Sequence, residues 1–313
     1  MIVTGGEALI DLVQEDGRLY AVAGGGPFNT AIAFGRLDVP VGFLGVISRD
    51  AYGRMLADRL VDCGVDLSLV QWSDAPTPRA VVHRRHDGRN EYTFHLCGTS
   101  LGELAPDALP VLPGEAWAVH VGTLALAIDP PATAYEALVD REAGRRQIVL
   151  DPNVRPAIFG DAAAYRSRFE RLAQAADLVK LSDDDAAWIY PDLANEEVLK
   201  IILGFGPRIV ALTRGEHGAV AASREGFVDV AGIPVAVVDT VGAGDSFGAA
   251  FVAALVDDGA FGHTMTRTAD EVVLKRAVSY AVAASAITCT RTGAVPPSRD
   301  EIDAQLRALG APP

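Results

Sequence analysis

The segment Val235-Ala236-Val237-Val238-Asp239-Thr240-Val241-Gly242-Ala243-Gly244-Asp245-Ser246-Phe247 concentrates the chemistry of this chain. Its β-branched start reads as a buried strand ending at Val238, followed by a turn of small residues. A helix then carries Phe247, Phe251, Ala254 and Leu255 on one face. Gly242, Ala243 and Gly244 would present bare backbone N–H groups at the helix N-terminus, where the dipole also favours an anion. Asp245 falls in the first helical turn beside them. A carboxylate there suits a base that takes a proton from a hydroxyl while the hydroxyl attacks a phosphoryl group held by those amides. The competing reading is a carboxylate that only complements the dipole. The glycines and the acid occurring together favour the base. Rival phosphate motifs are missing. There is no Gly-Lys pair for a P-loop, and Gly242-x-Gly244-x-x-x-Gly248 has the wrong spacing for a dinucleotide turn.

These residues need elements to position them. Short apolar runs at Ile2–Thr4, Val41–Leu44, Ala118–His120, Gln147–Leu150, Leu178–Lys180, Ile209–Thr213 and Val235–Val238 read as strands buried on both faces of a parallel sheet. Helical patterns over Asn29–Leu37, Tyr52–Cys63, Thr133–Ala143, Ala163–Ala175, Glu196–Leu203, Ser246–Val256 and Glu271–Thr288 alternate with them. The alternation predicts helices packed on a central sheet. Two segments break it. Residues 11–22 and 79–97 have two-residue alternation around Asp16-Gly17 and Asp87-Gly88, which are hairpin turns by type. Tyr92, Phe94 and Leu96 share one face of the second hairpin. The two hairpins are expected either to pair into a lid or to lie separately on the surface.

Composition sets limits. The chain of 313 residues carries 27 basic and 41 acidic side chains, a formal charge of −14. That balance argues against binding nucleic acid or an anionic membrane, and leaves any phosphate to be attracted locally. The cysteines Cys63, Cys97 and Cys289 have no metal or disulfide spacing and suit a reducing compartment. The N-terminal residues do not read as a signal peptide, and the apolar run Ala277–Thr290 is shorter than a bilayer span. A cytoplasmic protein is expected.

Asp239-Thr240-x-Gly242-Ala243-Gly244-Asp245 resembles the C-terminal signature of the ribokinase-like (PfkB) carbohydrate kinases. Ala23-Gly24-Gly25-Gly26-Pro27-Phe28-Asn29 is similar to that family's di-glycine motif. Gly6-Glu7-Ala8-Leu9-Ile10-Asp11 and Asp151-Pro152-Asn153-Val154-Arg155-Pro156 resemble the fructokinase branch. Lys180-Leu181-Ser182-Asp183-Asp184-Asp185 falls where the family has Asn-x-x-Glu, and Thr213-Arg214-Gly215-Glu216-His217-Gly218 where it has a nucleotide-binding turn. The motifs stand in family order along essentially the whole chain.

The resemblance implies a three-layer α/β/α sandwich with a mostly parallel sheet and a small β-sheet lid. Residues 1–10, 23–78 and 98–313 would form the large domain, and 11–22 and 79–97 the lid. It implies an ATP-dependent sugar kinase, fructokinase first, with 2-keto-3-deoxygluconate, ribose or a nucleoside as other acceptors. A non-catalytic sugar-responsive binding protein is the rival from another class. Asp245 would be the base, and the amides of Gly242, Ala243 and Gly244 would stabilise the transferred phosphoryl. Asp11, Gly24, Gly25, Asn29, Phe94, Asn153 and Arg155 would meet the sugar. Asn153 and Arg155 follow a strand end, where α/β proteins place ligands, although Asn153 equally suits a local backbone role and Arg155 an ordinary surface one. Lys180, Thr213, Gly215, Gly218 and Val282 would meet ATP, Val282 being equally suited to the core. Asp185 departs from the family's Glu. It would reach Mg²⁺ through water, or else the acids at 183–185 simply open a helix. Asp239, Val241, Arg291 and Gly293 would surround K⁺. A homodimer through the lid is expected. Replacing Asp245 with Asn is expected to lower kcat by ~10²–10⁴-fold with ATP binding retained; steady-state kinetics giving a near wild-type kcat would remove Asp245 as the base.

Overall fold

The computed structural model describes residues 1–15, 18–84, 90–159 and 162–310. Along the chain run β1 (Ile2–Gly5), β2 (Leu9–Glu15), β3 (Arg18–Gly24), α1 (Gly26–Arg36), β4 (Val41–Ser48), α2 (Ala51–Asp62), β5 (Val70–Ser73), β6 (Arg79–Arg84), β7 (Asn90–His95), β8 (Ala118–Gly122), α3 (Pro131–Glu142), β9 (Gln147–Asp151), α4 (Ala162–Ala175), β10 (Leu178–Ser182), α5 (Asp183–Ile189), α6 (Asn195–Phe205), β11 (Ile209–Thr213), β12 (Ala219–Ser223), β13 (Phe227–Val230), α7 (Ala243–Asp257), α8 (Glu271–Cys289) and α9 (Arg299–Ala308).

Nine strands form one sheet in the order β13-β12-β11-β10-β9-β8-β1-β4-β5. Strands β12 and β13 run antiparallel at one edge, and the other pairings are parallel. The central strands are apolar throughout because both sheet faces are covered. Alternate residues go to opposite cores, as period-two side-chain geometry requires. Ile2, Ala118, Val149, Leu178 and Ile209 join α1, α7 and α8 in one cluster. Val3, Val119, Ile148, Val179 and Val210 join α3, α4 and α6 in the other. This is the expected three-layer sandwich.

Strands β2, β3, β6 and β7 form a separate sheet in the order β3-β2-β6-β7. Both hairpins are antiparallel, and β2 joins β6 in parallel with Leu12 opposite Val81. The hairpins therefore do pair with each other. Phe94 and Leu96, with Ile158, pack on Leu9, Ala80 and Leu124. The turns at Asp16-Gly17 and Asp87-Gly88 and the side chain of Tyr92 lie outside the described residues.

One expected strand is not a strand. Val235–Val238 runs as irregular chain, with Val237 62% and Val238 54% exposed. The Val238 N–H donates to the Cys289 carbonyl at 2.8 Å instead of to a sheet neighbour. The apolar side chains belong to a cavity wall, as shown below. Other elements emerge beyond those expected. The edge strands β5 and β13 do, with β12 beside β13, as does α5, capped by a reciprocal Ser182–Asp185 box. Helix α9 has the same device at Ser298 and Glu301. Helix α8, of 19 residues with mean hydropathy 1.4, is long and apolar enough to cross a membrane by length and composition. It buries Leu274, Ala277, Val278 and Ala281 in the core it shares with α7. The three cysteines are free thiols.

Helix α7 carries Phe251, fully buried with its ring stacked 5.9 Å from that of Phe247. Phe251→Ala is expected to cost ~3–5 kcal/mol of unfolding free energy through lost transfer energy and a residual cavity, read as a lowered denaturation midpoint.

Candidate active site

Helix α7 starts at Gly242, whose left-handed backbone (φ 77°) would strain a side chain. A Cβ there would also sit 2.6 Å from the Cβ of Ala294. The chain thus turns sharply and directs the first amides of α7 outward. The Ala243 N–H donates to the Thr240 carbonyl at 3.2 Å. That corrects one expectation: Ala243 closes the turn, so its amide is not a free donor. The amides of Gly242, Gly244 and Asp245 have no acceptor among the described residues and form the anion cradle.

Asp245 is buried, and its Oδ2 accepts from Nδ2 of Asn29 at 2.9 Å. Asn29 lies in the first turn of α1, whose packing on α7 brings together two residues 216 positions apart. Burial pushes the Asp245 carboxyl up to about 6, with the Asn29 bond opposing that rise and the Asp151 charge adding to it. A base with that pKa is ionised near neutrality and still basic enough to accept a proton.

Two cavities meet at this turn. The first, about 290 Å³, is lined by Glu7, Asp11, Gly25, Asn29, Phe94, Thr123, Asn153, Arg155 and Asp245 among others. Asp11 follows the start of β2, and Gly24, which ends β3, lies so close that a Cβ would stand 2.6 Å from its Oδ2. Burial raises the Asp11 carboxyl to about 6, partly offset by the charge of Arg155. Arg155 braces its own loop through the carbonyls of Asn153 and Val154, at 3.2 and 3.1 Å. Each of the seven residues expected at the sugar therefore lines this cavity or, for Gly24, abuts a residue that does.

The second cavity, about 490 Å³, is lined by Thr213, Gly215, Gly218, Val235, Val237, Phe247, Val282 and Cys289, with others. Thr213, Gly215, Gly218 and Val282 come together here from β11, the turn after it, and α8. Thr240 and Gly244 line both cavities. Lys180 lies beneath the turn, its Nζ 3.1 Å from where a Cβ on Gly244 would be. It is buried and donates to Oδ2 of Asp151 at 2.9 Å. Burial works against its charge, but Asp151, Asp185 and Asp245 outweigh that and hold the ammonium above its ordinary pKa.

Asp185 is placed differently from a ligand-facing carboxylate. Its Oδ1 accepts from the Val154 N–H at 2.7 Å and its Oδ2 from the Ser182 N–H at 2.8 Å. It caps α5 and ties the β9 loop to β10, so the helix-opening alternative describes it well. Asp239 is likewise a tie, accepting from the amides of Val241 at 3.1 Å and Gly293 at 2.9 Å. Arg291 turns to Glu301 and to the carbonyls of Val295 and Pro296. No group of three or more His, Cys, Asp or Glu side chains suited to a metal occurs among the described residues. A magnesium ion would then rest chiefly on nucleotide phosphates and water, as that ion commonly does. Asp151, whose Oδ1 is buried without a partner, fits as the nearby carboxylate.

Residues that sequence reasoning passed over also stand here. Glu7, Thr123 and Thr240 line the first cavity, and Asp151 anchors Lys180. Glu7 and Asp151 sit inside quoted motifs; Thr123 follows a buried strand and carries no sequence signal.

The family profile described as pfkB family carbohydrate kinase matches residues 2–301. The chain belongs to the pfkB family of carbohydrate kinases. It is 36% identical over 280 residues to a fructokinase of Rhizobium leguminosarum bv. trifolii, covering 88% of this chain and 86% of that protein. It is 31% identical to a fructokinase of Salmonella typhimurium, covering 93% of each. The crystal structure of fructokinase from Vibrio cholerae O395 with fructose, ADP and calcium ion bound superposes with a TM-score of 0.85 at 25% identity, covering 97% of each chain. This pfkB kinase is thus a sugar phosphotransferase.

For this pfkB kinase, kcat/KM for the acceptor is expected to fall as pH drops through about 6, where Asp245 and Asp11 both gain protons. The limb belongs to the pair of groups rather than to one. Asn29→Ala removes the bond that favours the charged Asp245, so its limb should move to higher pH. A pH–rate limb near 4, the ordinary carboxylate value of about 3.9, would contradict the raised pKa.

Proposed function

We propose that the chain is an ATP-dependent fructokinase that transfers the γ-phosphoryl group to a hydroxyl of fructose, giving fructose 6-phosphate. The observation that carries this is the position of Asp245 in the first cavity, next to Gly244, which lines both cavities, so that one carboxylate can meet an acceptor hydroxyl beside amides facing a phosphoryl group. Asp245 takes the hydroxyl proton. The amides of Gly242, Gly244 and Asp245, with Lys180 beneath them, receive the charge of the transferred group. The transition state is loose, so positioning and charge neutralisation supply most of the rate. Bound magnesium would neutralise phosphate charge. Phe94, on the small sheet, covers the acceptor and keeps water from competing for the phosphoryl group, with Leu96 packed in the cluster beside it.

The lining chemistry favours a neutral polyol. Asp11 and Asp245 place two carboxyl groups around the first cavity against the single cation Arg155 in its lining. An acceptor that is itself a carboxylate would be repelled there. The relatives named above act as support for fructose. A K⁺ site between the Asp239 and Gly293 loops is supported by the charge of Asp239, which has no ion pair among the described residues. A homodimer is supported by edge strand β3, which exposes Leu19 and Tyr20.

A coupled ADP assay over fructose, ribose, 2-keto-3-deoxygluconate and a nucleoside should give the highest kcat/KM with fructose. Turnover of another acceptor and not of fructose would overturn the fructose assignment and leave the kinase standing; no turnover of any would favour the non-catalytic reading.

A further inference from the structure

Glu7 lies outside the chemistry assigned so far, yet it is fully buried behind the acceptor cavity that it helps to line. Its Oε1 accepts from the Gly26 N–H at 3.1 Å and from the Thr123 hydroxyl, and its Oε2 from the Ala125 N–H at 3.1 Å. One carboxylate thus binds the start of α1 to the turn that follows β8. Both partners are unusual. Thr123 has φ 60°, a left-handed conformation that a β-branched residue avoids. Gly26 passes so near that a Cβ there would stand 2.3 Å from Cγ2 of Thr123 and 3.1 Å from Nδ2 of Asn153. Asn153 is itself left-handed, with φ 38°. Three backbone segments therefore converge behind the acceptor, two of them strained, and Glu7 is bonded to two of the three.

We propose that Glu7 is a positioning residue for the acceptor, holding Thr123 in its strained conformation and fixing the first amide of α1, so that the cavity wall formed by Thr123, Asn153 and Asn29 is set before the sugar arrives. The inference rests on the acceptor assignment of the first cavity, whichever sugar that cavity takes. Three donors converge on the carboxylate from two elements, which is the geometry of a rigid support. Helix α1 then carries that support one turn onward, from Gly26 to Asn29 and its bond to Asp245. A Gln at position 7 would keep one acceptor oxygen but present N–H to a site where every partner is a donor.

The test uses the acceptor turned over fastest in the panel above, so that failure here is distinct from a wrong sugar. Glu7→Gln should raise the acceptor KM about tenfold or more while the ATP KM stays within about twofold, the signature of lost acceptor binding rather than of general damage. Thr123→Val should reproduce the effect, and Thr123→Ser, which keeps the hydroxyl, should restore most of the affinity. Glu7→Gln combined with Thr123→Val should be no worse than the more damaged single variant, because both break one coupled unit. Equal rises in both KM values, an unchanged acceptor KM, or additive losses in the double variant would overturn the proposal. If Glu7→Gln does not fold, the Thr123 pair decides: loss with Val and rescue with Ser supports the proposal, and equal behaviour of the two overturns it.

Discussion

Everything at the site hangs on a buried cation. Lys180 projects from the middle of the sheet toward the N-terminus of α7, and Asp151 on the neighbouring strand holds it at 2.9 Å. A lone ammonium at that depth would be prohibitively desolvated; a paired one is tolerable when its geometry is good. Removing either partner would strand the other, a loss of ~3–5 kcal/mol for a buried pair. His120, on the same face of β8, responds to this charge. Burial and then Lys180 push its pKa down to about 3, so it stays neutral beside the pair. The sheet therefore delivers one fixed positive charge under a helix terminus that already favours anions. That is how a chain of net charge −14 can attract a polyphosphate without a basic surface.

Much of this is legible in the amino-acid sequence. Most strands of the main sheet are apolar, largely β-branched runs because helices cover both faces. The Gly242–Asp245 turn was legible because its residue types are demanded by a tight turn opening a helix. The two hairpins were legible from Asp-Gly turns and alternation. What failed was Val235–Val238. Apolar runs signal burial in a sheet, but this one lies largely exposed, with Val235 and Val237 on a cavity wall. Asp185 was ambiguous in a different way. A Ser-x-x-Asp spacing fits both a capping box and a metal-facing acid, and the structure shows the capping bonds, to Val154 and Ser182. Ala243 reads as an amide donor until the turn geometry commits it to Thr240.

Long-range pairings were the least visible. Asn29 and Asp245 belong to motifs at opposite ends of the chain, and nothing local states that they touch. Glu7 and Thr123 meet across 116 positions. Contacts of that kind follow from strand order. Strand β1 lies beside both β8 and β4, so the loop after β1 must meet the loop after β8. The carboxyl ends of β1, β8, β9 and β10 all open on one edge of the sheet, and Glu7, Thr123, Asn153 and Asp185 follow them in turn.

The wall between the two cavities is one turn of chain, with Thr240 and Gly244 facing both sides. Such a partition leaves the molecule unequal room for change. On the proposed nucleotide side β11 and α8 are locked into the core, so donor recognition there would be bound to the architecture itself. On the proposed acceptor side the boundary is completed by β2 and β7, from a thin sheet whose Leu9 and Ala80 share a small cluster with Leu124 of the turn after β8. Substitutions there can reshape what is accepted without disturbing how the phosphoryl group is handled. A lineage built on this plan should diversify its sugars readily and its phosphoryl donor seldom.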